Sequence, residues 1–162
     1  MPFVFSGEIM LIREIQEKDF NEFEELFCAY YEELGCEDEP YHLFDEYVLP
    51  DLKENLFSAA VAVDGETLWG FIIYQTDAPE NEWCFRDGDG DIREIYVTPT
   101  HRKRGVGKQL LAFAENELSL GGVKCIYLLP TEENENFFIG CGYKDLGDYC
   151  AELDNKVFEK AL

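Results

Sequence analysis

Long apolar runs are missing. None approaches the ~20 residues that a membrane-spanning helix needs, so no bilayer span is expected. The opening residues Met1-Pro2-Phe3-Val4-Phe5-Ser6-Gly7-Glu8 hold no basic segment and too short an apolar stretch for a secretory signal, and the expected compartment is the cytoplasm. Cations are scarce as well: 13 Lys and Arg face 35 Asp and Glu, a net charge of −22. A nucleic-acid partner needs basic surface, so none is expected. There are two histidines, His42 and His101, and six cysteines at 28, 36, 84, 125, 141 and 150. No two cysteines are spaced C-x-x-C, and no Cys/His group has zinc spacing, so no metal is expected. The thiols read as reduced and mostly buried, and no base for a nucleophilic cysteine can be placed from sequence.

What is present suits one domain spanning residues 1–162. Apolar residues make up 46% and aromatics 15%, enough to drive folding, and no repeat, linker or low-complexity segment divides the chain. Residues 10–15 read as a first strand. Phe20, Phe23, Leu26, Phe27, Tyr30, Tyr31 and Leu34 recur at helical spacing, and Gly35 ends that run. A second helical stretch covers 42–56, with Pro50 as its point of interruption. Residues 58–63 and 67–75 read as strands joined by a hairpin at Asp64-Gly65. A polar loop fills 76–90.

After it come a strand at 91–97, an amphipathic helix at 105–120 and a strand at 124–129. In the helix, Val106, Leu110, Phe113, Ala114 and Leu118 share a face. A short helix at 132–141 and strands at 143–146 and 155–159 close the chain. This order predicts an α/β fold of the α+β kind, with a mixed, mostly antiparallel sheet and helices on its faces. The unit at 91–129 should be a right-handed parallel crossover.

Charge is unevenly spread. Residues 1–85 hold three cations, Arg13, Lys18 and Lys53, against 21 acids. Residues 86–162 hold ten against fourteen, and the stretch 93–108 carries Arg93, Arg102, Lys103, Arg104 and Lys108 against Glu94 alone. That basic patch lies where a strand turns into a helix. The first amides of a helix have no internal partners and carry the positive end of its dipole. Gly105 and Gly107 let the backbone curl those amides toward one point, which suits a phosphate or pyrophosphate. A P-loop would need glycine at 102 and Ser or Thr at 109, where Arg102 and Gln109 stand. A dinucleotide fingerprint would need its third glycine near 110, where Leu110 stands. The run Asp87-Gly88-Asp89-Gly90-Asp91 suggests calcium, but such a loop wants glycine at 92 and glutamate at 98; Ile92 and Thr98 make it a turn instead.

The segment Ile95-Tyr96-Val97-Thr98-Pro99, followed by Arg102-x-x-Gly105-x-Gly107, resembles the GCN5-related N-acetyltransferase (GNAT) family. The resemblance extends over roughly 10–160. It includes Trp69-Gly70-Phe71 and the run Asn136-Phe137-Phe138-Ile139-Gly140-Cys141-Gly142-Tyr143. It implies a GNAT-like fold that transfers acetyl from acetyl-coenzyme A (acetyl-CoA) to an amine. Backbone groups of Ile95, Tyr96 and Val97 would bond the pantetheine arm. Arg102, Lys103, Arg104, Gly105, Val106, Gly107 and Lys108 would hold the pyrophosphate. Asn134, Asn136 and Phe137 would lie along the pantetheine or adenosine. The strands at 91–97 and 124–129 would splay to admit the thioester. Dimers are common in the family, so a homodimer is compatible with it.

An ammonium of pKa ~10 must lose a proton before it attacks. Asp91 and Glu94 are the candidate bases. Three apart on one strand, they face opposite sides, so only one enters the site. Some relatives carry a catalytic carboxylate at the Asp91 position, and Glu94 is the alternative. Many carry a tyrosine acid where this chain has Phe138; Tyr143 and Tyr96 are substitutes, each also readable as packing. Glu32, Glu33, Glu37, Asp38, Glu39, Asp45 and Glu46 gather near the first helix connection, which points to a cationic acceptor. A polyamine, an aminoglycoside-like amine, or a lysine or N-terminal amine of a protein would fit. A non-catalytic acyl-CoA sensor or interaction module is the alternative.

Overall fold

The computed structural model describes residues 3–5, 8–36 and 40–162, with the backbone alone for residues 3–5, 8 and 9. Its contacts fall into two units. One comprises 1–73 and 94–114, the other 74–93 and 115–162.

In the first unit, β1 (Phe3–Phe5) pairs antiparallel with β2 (Glu8–Glu14), and β2 pairs antiparallel with β3 (Ser58–Asp64). The strand order continues through β4 (Thr67–Thr76) to β5 (Gly90–Val97). Five successive residues of β3 are buried, as are the eight between Thr67 and Thr76 in β4. Both faces of these strands are therefore covered, which is why their sequences are apolar without alternation.

The helix read at 20–34 is α1 (Phe20–Glu33). Its entry is fixed by Asp19, which accepts Arg13 Nη1–H at 2.6 Å, Arg13 Nη2–H at 2.9 Å and the Gln16 amide at 2.8 Å. The guanidinium holds the Asp19 carboxyl below its ordinary pKa. Phe23 and Phe27 on α1 meet Phe44 and Phe71 in a buried cluster, with edge-on rings 5.3 Å apart for Phe23–Phe44 and 5.0 Å for Phe23–Phe71. Burying each such ring is worth about 1.5–3 kcal/mol, which anchors α1 on the sheet.

The helical stretch expected at 42–56, with its interruption at Pro50, is α2 (Pro40–Leu43), a widened π turn (Phe44–Val48) and α3 (Leu49–Lys53), so the break falls ahead of the proline. Pro50 has no N–H to offer and its ring crowds the carbonyl four residues back. The backbone opens one turn earlier, with the Leu49 amide donating to Phe44 O.

In the second unit, β5 pairs parallel with β6 (Cys125–Leu128), at Gly90–Ile126 and Asp91–Tyr127. The sheet then runs antiparallel through β8 (Asn155–Ala161) to β7 (Lys144–Cys150). Strand β7 extends past the expected 143–146 because a register shift between Asp145 and Tyr149, with Gly147 at φ +83°, lets pairing resume. The loop 77–89 wraps a buried carboxylate. Asp77 accepts Tyr127 O–H at 2.5 Å, Gln75 Nε2–H at 2.8 Å and the amides of Phe85 and Arg86 at 2.9 Å.

Helix α4 (Val106–Leu120) begins in the first unit and ends in the second. It buries Val106, Leu110, Leu111, Ala114 and Leu118; Phe113, expected on that face, is half-buried and Leu111 takes its place. The short helix expected at 132–141 is α5 (Glu135–Gly140), preceded by a turn. The result is a mixed, mostly antiparallel sheet with helices around it. All six cysteines are free thiols, but only Cys28 and Cys150 are buried, and Cys36 is exposed. No described helix is long and apolar enough to cross a membrane.

Candidate functional site

The basic turn is built by its neighbours in the first unit. Gly70 in β4 lets β5 come close: a Cβ there would lie 2.4 Å from Tyr96 O and 3.2 Å from Val97 Cα. The Thr98 amide then donates to Trp69 O at 2.9 Å, and the His101 ring stacks on Trp69 with centroids 4.1 Å apart. His101 Nδ1 also meets Thr98 Oγ1 at 2.7 Å. The short 3-10 turn Pro99–His101 is thereby pinned to β4, and the chain enters 102–108 from a fixed direction.

Lys103 has φ 61° and Gly105 φ +80°, two left-handed residues that fold the backbone back before α4 starts at Val106. The first helical bond runs from the Gln109 amide to Gly105 O at 3.1 Å. Ahead of it, the amides of Val106, Gly107 and Lys108 have no partner within the helix. Lys103, Arg104 and Lys108 are exposed around them. The arrangement can hold an anion by backbone donors, helix dipole and flanking cations together.

Arg102 points elsewhere. Its Nη1 and Nη2 each donate to Glu33 at 2.6 Å, one to each carboxylate oxygen, and its Nε donates to Val97 O at 2.8 Å. Three of its five N–H groups thus have protein acceptors. The guanidinium carbon lies 5.4 Å from the Tyr96 ring centroid. Hydrogen bonding from Arg102 lowers the Glu33 pKa, and the same bond raises that of Arg102. Side-chain exposures of 39% and 46% make the pair worth about 0–1 kcal/mol, so its geometry matters more than its contribution to stability.

Glu94 lies on β5, just ahead of Ile95 and Tyr96. Its Oε1 accepts the Tyr31 hydroxyl at 3.1 Å. Tyr30, beside it on α1, packs 5.5 Å from the Tyr96 ring, and its hydroxyl is pushed well above its ordinary pKa by burial first and by Glu94 next. Tyr30 and Tyr31 were not singled out as site residues from the sequence, where they read only as part of an apolar face, and Glu33 was named only among the acids that would attract a cationic acceptor. A signal was available: two adjacent tyrosines at the end of a helix bring two hydroxyls that need partners when buried.

The first unit therefore brings together Glu94, Ile95, Tyr96, Val97 and 102–108. The other sequence candidates belong to the second unit. Asp91 is 4% exposed, on β5 beside its pairing partner Tyr127. Tyr143 is 1% exposed and gives its hydroxyl to Glu115 Oε1 at 3.0 Å; burial first, then Glu115, raises its pKa, so its proton already has a structural acceptor. Phe138 is buried against Tyr143. Asn134 Oδ1 accepts the Thr131 amide at 2.7 Å and so shapes the turn before α5, while Asn136 and Phe137 are exposed on that helix. Glu37, Asp38 and Glu39 of the acidic cluster lie outside the described residues; Glu32, Glu33, Asp45 and Glu46 are exposed.

The acetyltransferase (GNAT) family model matches residues 20–143. Among curated proteins, none matches the sequence significantly. Solved structures of similar shape include a GNAT-family acetyltransferase from Staphylococcus aureus Mu50, 16% identical, with a TM-score of 0.73 over 94% of this chain and 99% of that one. A PaiA N-acetyltransferase from Thermoplasma acidophilum in complex with coenzyme A is 18% identical, with a TM-score of 0.69 over 94% and 99%. An aminoglycoside 6'-N-acetyltransferase complexed with coenzyme A is 18% identical, with a TM-score of 0.70 over 93% and 96%. At these identities the likeness is one of fold.

Proposed function

Because the chain belongs to the acetyltransferase (GNAT) family, we propose that it transfers an acetyl group from acetyl-CoA to the amine of a positively charged acceptor. Residues 1–162 act as one acetyltransferase domain; the family match runs through both units. The observation that carries the reading is the turn at 102–108. There two left-handed residues deliver three helix amides that have no partner within the helix, and three exposed cations, to one place, in a chain of net charge −22. The pyrophosphate binds at those amides with Lys103, Arg104 and Lys108. Backbone groups of Ile95 and Tyr96 take the pantetheine arm.

Chemistry follows directly. The amine nitrogen's lone pair forms a bond to the thioester carbonyl carbon, and the carbon–sulfur bond breaks, its electron pair leaving on the coenzyme A thiolate. The proton lost by the amine passes to Glu94, directly or through water. Glu94 is preferred to Asp91 because it shares the first unit with the cofactor turn and is oriented by Tyr31. No tyrosine acid is invoked: a thiolate of parent pKa ~8.5 leaves without one. Acidic side chains at the end of α1 and on the π turn attract the acceptor's charge, as long-range attraction requires.

The test is thiol release from acetyl-CoA with a panel of polyamines, aminoglycosides, lysine peptides, and neutral and anionic amines. Release should be amine-dependent and favour cationic acceptors, and Glu94→Gln should lower kcat by about 10²–10⁴-fold. Acetylation of neutral or anionic amines alone would rule out the charged acceptor. The second reading, a non-catalytic acyl-CoA sensor, is favoured by Phe138, which is buried and cannot donate a proton. Binding of acetyl-CoA without amine-dependent release would establish it.

A further inference from the structure

The sequence pattern offers Arg102 as a phosphate ligand, yet its side chain is committed to α1 and to its own strand. We propose that Arg102 and Glu33 form a positioning tie, which fixes the last turn of α1 to the cofactor turn and thereby orients Glu94. The inference rests on the acetyl-transfer reading above.

Three observations meet in this tie. First, both guanidinium nitrogens of the fork donate to the two Glu33 oxygens at 2.6 Å, a bidentate geometry that fixes orientation as well as distance. Secondly, Arg102 Nε donates to Val97 O at 2.8 Å, so the same side chain grips the end of β5. Thirdly, Tyr31 lies two residues before Glu33 on α1 and donates to Glu94 at 3.1 Å. Moving the end of α1 therefore moves the hydroxyl that aims Glu94, and Tyr96, with the Arg102 guanidinium over its ring, is part of the same contact.

The tie divides labour within the basic turn. Lys103, Arg104 and Lys108 attract and hold the pyrophosphate, whereas Arg102 transmits the position of the turn to the acceptor side. Lysine cannot replace it, because an ammonium is a point donor and cannot make the two-pronged contact together with the Val97 bond. Glu33 is likewise a positioning residue: it reaches the reacting atoms only through Arg102 and α1.

The experiment uses the full chain and compares wild type, Glu33→Gln, Arg102→Gln, Arg102→Lys and the charge-swapped double variant E33R/R102E. The readouts are acetyl-CoA titration calorimetry, thiol-release kinetics and the pH–rate profile. Each single variant should bind acetyl-CoA within about twofold of wild type. Each should lower kcat by about ten- to a hundredfold, the usual effect of a misplaced catalytic group, and shift the limb of the pH profile that reports the base. The double variant should regain part of the lost kcat. Loss of acetyl-CoA affinity in R102Q but not E33Q would make Arg102 a phosphate ligand and overturn the proposal. So would wild-type kcat and pH profile in E33Q.

Failure of the functional reading is separate: wild type would bind no acetyl-CoA. In that case the melting temperatures of the five proteins decide the tie, with recovery in E33R/R102E supporting it and additive losses contradicting it.

Discussion

Gly70 shows how one absent side chain sets the site. Its Cα faces the β5 backbone so closely that a methyl group would lie 2.4 Å from Tyr96 O, well inside contact distance. The obstacle is main chain, which cannot rotate aside. Gly70→Ala should destabilise the protein by about 1–3 kcal/mol in urea titrations and weaken acetyl-CoA binding as β5 moves; an unchanged midpoint and affinity would show that β4 and β5 have slack there. The sequence marked this residue only as part of Trp69-Gly70-Phe71, without the reason.

Glu33 was harder to find than Gly70. In sequence it is one acid among seven near the first helix connection. Its partner, Arg102, is 69 residues away, and only the fold brings the two into contact. Glu94 was legible as one of two carboxylates on a strand. Its hydrogen bond from Tyr31 was not legible, because the helical periodicity assigned that tyrosine to packing alone.

At the scale of elements, the turn between β5 and α4 stores strain where function is expected. Lys103 holds φ 61°, a conformation that costs an ordinary L-residue about 1 kcal/mol and that glycine adopts freely. A lysine there trades stability for a cation beside the helix amides. Lys103→Gly should therefore leave stability unchanged or raise it by up to about 1 kcal/mol. It should also weaken acetyl-CoA binding about three- to tenfold, with a flatter dependence on salt. A loss of stability with unchanged affinity would contradict this account of the turn.

Elements with strong period or clear punctuation were readable in advance. The spacing from Phe20 to Leu34 marked α1, with Gly35 ending the run, and Asp64-Gly65 marked the β3–β4 hairpin. What was not readable depends on backbone accommodation. Pro50 signalled an interruption, but not that the break would be a π turn ahead of it. Strand β7 carries almost no apolar pattern, since six of its seven residues are exposed, and its bulge at Gly147 hides the second half from any alternation rule.

For the whole molecule, the distribution of charge matters more than its sum. An acidic first half carries α1 and its acidic neighbours, and the basic stretch 93–108 follows in the second half. Such a division suits an enzyme that must hold a polyanionic donor while attracting a cationic acceptor. It also makes the donor site dependent on a few cations, because the remaining charge repels phosphate at distances up to about 8–10 Å at physiological ionic strength. The most direct measurement is titration calorimetry of acetyl-CoA into wild type and into K103Q/R104Q/K108Q, at low and high salt. The account predicts one-to-one binding to wild type that weakens with salt, and binding to the triple variant weaker by tenfold or more at low salt, on the order of 1.4 kcal/mol. No heat with wild type at millimolar acetyl-CoA, or equal affinity of the two proteins, would contradict it.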